Sequence, residues 1–403
     1  YNLGILGFFK YFSFILYNIQ GTIRIFIPQF SMEIPKISLP IGISFFTFQI
    51  MSYVIDLYRK EIRLQKSFLN LGLYIMLFPQ LIAGPIVRYI DIEKEIYERK
   101  VDIDKFYIGL KRFVLGLGKK VLIANAMGSW ADYAFTISLD KLSTPLAWLG
   151  IFGYTMQIYF DFSAYSDMAI GLGKMFGFDF LENFNYPYIS QNIQEFWRRW
   201  HMTLMQWFRD YIFYPLSGSR FCISGMNFFS SKNLPAIASR FPIYVASISV
   251  WFITGLWHGA SWKFIAWGLV NCFFILLSQE LTPFYRAFHK QFPNCKGRIY
   301  DAFRVIRTFL LFCFIEMFEY YSFANVFRMS FNMLTNFHIQ DLYDERFSTL
   351  GLSLSDWIVV FLGVLLLLYV SLLQRKGSVR ERLSKKPEAL RFTLYFLLFL
   401  SVL

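Results

Sequence analysis

The sequence predicts an all-α polytopic membrane protein of roughly nine to eleven transmembrane or re-entrant helices. Three observations carry this. The chain is 56% hydrophobic and only 17% charged, whereas a soluble globular protein carries about 25% charged residues. Its apolar runs reach membrane-spanning length. Its basic residues gather in the polar breaks between those runs, as the positive-inside bias requires. The 49 Phe, 25 Tyr and 10 Trp exceed what a soluble core of this length uses.

In chain order, residues 3–17 are apolar apart from Lys10 and read as a span. Residues 37–55 form a second, closed by Asp56 and the basic cluster Arg59, Lys60, Arg63 and Lys66. Residues 68–87 are apolar but broken by Pro79, Gly84 and Pro85. A broken helix at membrane depth needs protein or a water-filled cavity to satisfy its freed backbone groups, so a re-entrant or kinked segment is expected. Residues 89–105 are charged and belong at the surface. Residues 106–127 mix apolar positions with Lys111, Arg112, Lys119 and Lys120, suiting an interfacial amphipathic helix or a span with snorkelling ends.

Residues 145–160 are apolar and lead into Asp161 and Asp167. The run 241–277 holds a single charged residue, Lys263. As one helix it would measure roughly 55 Å, too long for one crossing, so two helices are expected to meet near Gly255–Gly259. Residues 303–318 and 357–373 are further spans. The stretch 374–391 carries Arg375, Lys376, Arg380, Arg382, Lys385, Lys386 and Arg391 against Glu381 and Glu388, which places it in the cytoplasm. The chain opens at Tyr1 inside an apolar run and closes in another, 392–403, short of the ~30 Å bilayer core. The expectation is one membrane domain over 1–403, cut at both ends from a longer chain.

Net charge is +13, from 40 Lys and Arg against 27 Asp and Glu. In a soluble chain this would suggest nucleic acid as a partner; placed in the breaks between apolar runs, it points to a lipid bilayer and no nucleic acid. Cys222, Cys272, Cys295 and Cys313 are scattered, with no Cys-x-x-Cys pair. They provide neither a disulfide framework nor a metal site and read as small buried hydrophobes.

Nucleophile-elbow, phosphate-loop and zinc-helix signatures are absent. Gly171, Gly173 and Gly177 lack dinucleotide-site spacing and suit close helix contact instead. The functional candidates are two histidines. His201 closes the crowded string Trp197, Arg198, Arg199, Trp200, His201. On a helix it would share a face with Trp197 and Arg198 one turn before and Leu204 and Met205 one turn after. It either hydrogen-bonds a neighbouring helix or serves the reaction, since ionisable groups at membrane depth are costly. His258 lies among Trp257, Gly259, Ala260, Ser261 and Trp262, where small residues leave room that the tryptophans can line. An imidazole titrating near neutrality, beside a cavity in a low-charge region where burial is expected to keep it unprotonated, is suited to general-base work. His289 and His338 lie in polar stretches and read as surface residues. Asp161 and Asp167 serve either as relay groups or as fold-building partners of arginines such as Arg198 or Arg209; pairing is favoured.

Several strings then resemble the membrane-bound O-acyltransferase family. They are Met156-Gln-Ile-Tyr-Phe-Asp-Phe-Ser-Ala-Tyr-Ser-Asp-Met-Ala-Ile-Gly-Leu-Gly173, Glu182-Asn-Phe-Asn-Tyr-Pro-Tyr-Ile-Ser190, Phe196-Trp-Arg-Arg-Trp-His201 and Gly255-Leu-Trp-His-Gly-Ala-Ser-Trp262. Pro40-Ile-Gly-Ile-Ser-Phe-Phe-Thr-Phe-Gln49 and Phe78-Pro-Gln-Leu-Ile-Ala-Gly-Pro-Ile-Val-Arg88 fit the same pattern. More narrowly, the chain is similar to the alginate O-acetyltransferase branch of bacterial polysaccharide acetylases. The resemblance implies a ring of helices around a central tunnel in the bacterial cytoplasmic membrane. It implies His258 as the essential histidine and His201 as the second, with Trp197, Arg198, Trp200, Trp257 and Asn185 along the tunnel. It further implies acetyl-coenzyme A as the acyl donor and no bound cofactor. The acceptor would be a cell-surface polysaccharide, served by an extracytoplasmic serine-esterase-like acetyltransferase partner. Around 316–322 the chain departs from that branch. D-alanyl transfer to teichoic acid is the related alternative, and a membrane transporter the alternative from another class.

Overall fold

The computed structural model describes residues 1–293, 295–343, 353–375 and 377–402, and every regular element among them is helical. Lys376 in the basic stretch and Leu403 lie outside the described residues. Three of the described helices are long and apolar enough to cross a membrane by length and composition: Pro235–His258, Trp262–Glu280 and Leu354–Gln374. The first two divide the 241–277 run as expected, with the break at Gly259, whose backbone is extended. The basic stretch after residue 374 contains a short helix, Val379–Ser384.

The chain separates into two compact units. One comprises Tyr1–Ile82, Ile86–Arg99 and Gln206–Cys272; the other comprises Ala83–Pro85, Lys100–Met205 and Phe273–Leu403.

In the first unit the chain opens with helix from Asn2–Leu6 through Phe12–Phe26, joined by a π-helical turn at Gly7–Tyr11. Residues 68–87 are broken as their prolines require. Helices Phe68–Met76 and Phe78–Leu81 are followed by irregular chain up to Tyr89–Glu98. Tyr74 is fully buried beside this break, and its hydroxyl reaches the carbonyls of Gln49 at 3.2 Å and Val87 at 3.3 Å. The Val87 carbonyl, in the irregular stretch, is thereby satisfied by a side chain. Pro235–His258 and Trp262–Glu280 pack backbone to backbone at Gly255 and Gly268. A Cβ on Gly268 would stand 2.3 Å from the Trp251 carbonyl oxygen and 3.1 Å from the Gly255 nitrogen.

In the second unit the long helix Thr144–Met175 packs against Ile103–Gly118. They meet at Gly109 and Gly171. A Cβ on Gly109 would lie 2.5 Å from the Gly171 oxygen, and one on Gly171 would lie 2.7 Å from the Gly109 oxygen. Gly171 therefore serves close helix packing, as its sequence context suggested.

Asp167 and Asp161 are both ion-paired, with partners other than the arginines expected. Asp167 meets Arg112 at 2.8 Å and Lys119 at 2.7 Å, and Asp161 meets Lys120 at 2.7 Å. These cations come from Ile103–Gly118 and the π-turn Lys119–Ala124, which pack against Thr144–Met175. Cys222, Cys272 and Cys313 are buried and free, as expected, whereas Cys295, also free, is half-buried.

Candidate active site

His201 is 3% exposed and sits between the short helix Ile193–Trp197 and the helix Met202–Phe208. Its backbone is left-handed, with φ 42°. The sequence expectation of a continuous helix carrying Trp197, Arg198 and His201 on one face is therefore corrected. The physical cause is Asn183. Its backbone oxygen accepts from the Met202 amide at 2.9 Å, serving one of the orphan donors at the start of the second helix. Its side-chain oxygen lies 2.9 Å from His201 Nδ1 and accepts from the Thr203 hydroxyl at 2.9 Å. A non-glycine residue in the left-handed region costs on the order of 1–3 kcal/mol, and such strain clusters at functional sites.

These contacts fix the imidazole tautomer. The Thr203 backbone N–H also approaches the Asn183 side-chain oxygen, at 3.4 Å, so that atom is the carbonyl. His201 Nδ1 must then carry the hydrogen it donates, which leaves Nε2 as the acceptor of the neutral ring. The edge of the ring packs against Phe162 at 4.7 Å.

The other expected residues of this stretch fall into three environments. Trp197 and Trp200 are buried. Trp200 stacks on Phe196 at 5.6 Å and packs near Phe184 at 5.1 Å and Phe312 at 5.6 Å, so it anchors an aromatic core. Arg198 is exposed. Asn185 is tied through its backbone, donating to the Arg199 carbonyl at 2.9 Å and accepting from the Arg199 guanidinium at 3.1 Å. Asn183, two residues earlier, is the asparagine whose side chain meets the histidine. The two share the string Asn-Phe-Asn, and only the fold tells them apart.

His258 belongs to the first unit and is the last residue of Pro235–His258. It is exposed. Its ring lies 4.3 Å from Trp267, 5.0 Å from Trp257 and 6.4 Å from Phe264. The tryptophan facing it is thus Trp267, one and a half turns into the next helix, together with Trp257. Trp262, expected to line this space, is 61% exposed and donates from Nε1 to the Asn18 side chain at 2.7 Å. Trp257 is half-buried against Phe45 at 6.0 Å and Phe48 at 6.5 Å. Lys10 and Tyr11 reach the carbonyls next to His258: Lys10 Nζ donates to the Trp257 carbonyl, and the Tyr11 hydroxyl donates to the Leu256 carbonyl at 2.9 Å.

The first unit holds one more polar group that the sequence reading gave no role. Tyr211 donates to the buried Asp56 carboxylate at 2.7 Å, and Arg88 bridges Asp91 and Asp210 at 3.1 Å each. Arg88, Asp210 and Tyr211, with Arg59, Glu61, Tyr214 and Pro215, line a cavity of about 510 Å³. His338 is exposed, and His289 packs against Tyr300 at 5.3 Å.

A model of the membrane-bound O-acyltransferase family, MBOAT, matches residues 4–231. The chain belongs to the membrane-bound O-acyltransferase family. The family match includes His201, Asn183, Trp197, Arg198 and Trp200, while Trp257 and His258 lie beyond it. Among curated relatives, a probable alginate O-acetylase AlgI of Azotobacter vinelandii is 44% identical over 270 residues, covering 66% of this chain and 50% of the relative. A peptidoglycan O-acetyltransferase of Helicobacter pylori is 34% identical over 320 residues, covering 73% and 56% respectively. A teichoic acid D-alanyltransferase of Bacillus subtilis is 28% identical over 278 residues, covering 68% and 67%. The chain thus spans about half the length of the O-acetylating relatives it matches.

Proposed function

We propose that the protein is a membrane O-acyltransferase that moves an acetyl group from a cytoplasmic thioester, acetyl-coenzyme A, to a hydroxyl of a cell-surface polysaccharide. The observation that carries this reading is the 44% identity to a probable alginate O-acetylase in a chain of this family. The peptidoglycan-acetylating relative supports the same acyl group on a different polymer.

In the proposed chemistry His258 is the general base. The acceptor oxygen attacks the thioester carbonyl carbon as its proton passes to the imidazole. The carbon–sulfur bond then breaks, and the thiolate takes up the proton as free coenzyme A. The attacking hydroxyl belongs to the polysaccharide or to a serine of an extracytoplasmic esterase-like partner. An exposed imidazole flanked by Trp257 and Trp267 supports this role, since the aromatic faces shield it on two sides while one side stays open to substrate.

For His201 the tautomer favours one of two roles. With its hydrogen on Nδ1 a neutral ring cannot donate from Nε2 to a carbonyl oxygen, and polarising the thioester would require the imidazolium. It can accept, and orienting an N–H of the donor's pantetheine arm is the role proposed. Trp197, Trp200 and Trp257 are proposed to exclude water, and Arg198 and Asn185 to lie along the substrate path. The reading carries with it the tunnel expected from the resemblance, in the bacterial cytoplasmic membrane with the basic 374–391 stretch in the cytoplasm.

The test is transfer of labelled acetyl from acetyl-coenzyme A in membranes carrying the intact protein, beside His258→Ala. Label on surface carbohydrate that depends on His258 is expected. Equal labelling in both samples would remove the base assignment. Label arriving only from carrier-bound D-alanine would favour the reaction named for the Bacillus subtilis relative.

A further inference from the structure

We propose that Lys10 and Tyr11 are positioning residues for His258, holding the end of its helix from a helix more than two hundred residues away in sequence. The inference rests on the reading of His258 as the base. Within the first unit, the Pro235–His258 helix ends at the histidine itself, and the next residue, Gly259, is already extended. The last carbonyls of a helix have no intrahelical partner. Here two of them, on Leu256 and Trp257, are taken by Tyr11 and Lys10. The Lys10 ammonium is in turn fixed by the Ser44 hydroxyl at 3.0 Å and lies 5.9 Å from the Trp257 ring.

Three independent features argue that this is a built device. Lys10 is the single charge in the apolar run 3–17, where an ammonium is costly and its presence calls for a purpose. Lys10 and Tyr11 both lie in the π-helical turn Gly7–Tyr11, a distortion concentrated at functional sites. A cation at a helix C-terminus is favourably placed in the helix dipole, so the cap strengthens the helix end that carries the imidazole. Lys10 fixes the backbone one residue before the imidazole. Loss of the cap lets the last turn fray, and His258 then samples positions from which it cannot take the proton.

The experiment measures steady-state acetyl transfer from labelled acetyl-coenzyme A by the intact protein in membranes, for Lys10→Met, Lys10→Arg, Tyr11→Phe and His258→Ala. Lys10→Met is expected to lower kcat by roughly tenfold to a hundredfold with KM for acetyl-coenzyme A within about twofold, because misplacement of a catalytic group acts on the chemical step. Lys10→Arg is expected to restore most of kcat, and Tyr11→Phe to lower it by a smaller factor. Wild-type kcat in Lys10→Met, a loss confined to KM, or a Lys10→Arg protein no better than Lys10→Met would overturn the proposal. Should Lys10→Met not accumulate in membranes, Tyr11→Phe decides, since it removes only a hydroxyl; unchanged kcat there overturns the proposal. An active His258→Ala would instead remove the base reading, whatever the Lys10 result, so the two failures are distinguishable.

Discussion

Asn183→Leu separates a histidine clamp from an ordinary core asparagine. The residue is 1% exposed, and its side-chain oxygen accepts from His201 Nδ1 and Thr203 Oγ1, each at 2.9 Å. Leucine keeps the approximate shape and removes the acceptor. Each buried donor left unpaired costs about 1–3 kcal/mol, so two bound the loss at roughly 2–6 kcal/mol. The Thr203 hydroxyl can turn to another acceptor in its own helix, which favours the lower half, about 3 kcal/mol. The backbone bond from Met202 to Asn183 survives, so the loop is expected to persist with its imidazole no longer held in one tautomer. The assay is thermal melting of the detergent-solubilised protein alongside acetyl-transfer turnover. Melting several degrees lower is expected, with turnover reduced about tenfold or more. Asn185→Leu, which touches this network through backbone alone, is expected to shift stability by no more than about 0.5 kcal/mol. If Asn183→Leu melts within about 1 °C of the parent and turns over within about twofold, the clamp argument is wrong.

Two further expectations concern charge. Arg112→Gln removes the guanidinium that pairs with the largely buried Asp167 and with Glu182; Lys119 still faces Asp167, so the loss is expected above the surface-pair range but below the about 3–5 kcal/mol of a buried charge left without a partner. Lys120→Gln, facing the more exposed Asp161, is expected to cost no more than about 1 kcal/mol; parallel melts of the two proteins check the contrast. At Asp179, burial pushes the carboxyl up, but hydrogen bonds from Lys174 and Lys105 outweigh it and hold the group below the usual carboxylate range. A depressed carboxylate contributes stability that is fully present above its unfolded value of about 3.9 and is lost as pH falls through its folded value. The stability difference between the parent and Asp179→Asn is therefore expected at neutral pH and to vanish in acid. It should be small, because the carboxylate is 42% exposed. A difference that grows on acidification would refute the sign.

The fold was legible wherever a local pattern has a local consequence. Pro79, Gly84 and Pro85 cannot continue a helix, and the 68–87 run is broken beside them. The 241–277 run is too long to cross once, and it divides at Gly259. Gly171 sits where two helix backbones nearly touch. The pairing of Asp161 and Asp167 was legible in kind, because a carboxylate in apolar surroundings needs a cation. The identity of the cation was not, since Arg112 and Lys119 reach Asp167 through the crossing of two helices whose registry no single segment encodes.

The site divides along the same line. A histidine among tryptophans is visible as a residue type out of place, so His201 and His258 stand out in the string itself. What prepares each imidazole is supplied from elsewhere in the chain: Asn183 reaches His201 across the Ile193–Trp197 helix, and Lys10 reaches the residue before His258 from the first helix of the chain. Such partners are ordinary polar residues whose meaning comes from where the backbone delivers them. His201 makes the point most sharply. Its sequence context suggests a helix, yet the side chain it must satisfy lies on Asn183, and the backbone accepts a left-handed turn to reach it. A local preference overridden at a candidate site, with the cost borne by specific long-range bonds, is the pattern expected where function rather than folding sets the geometry.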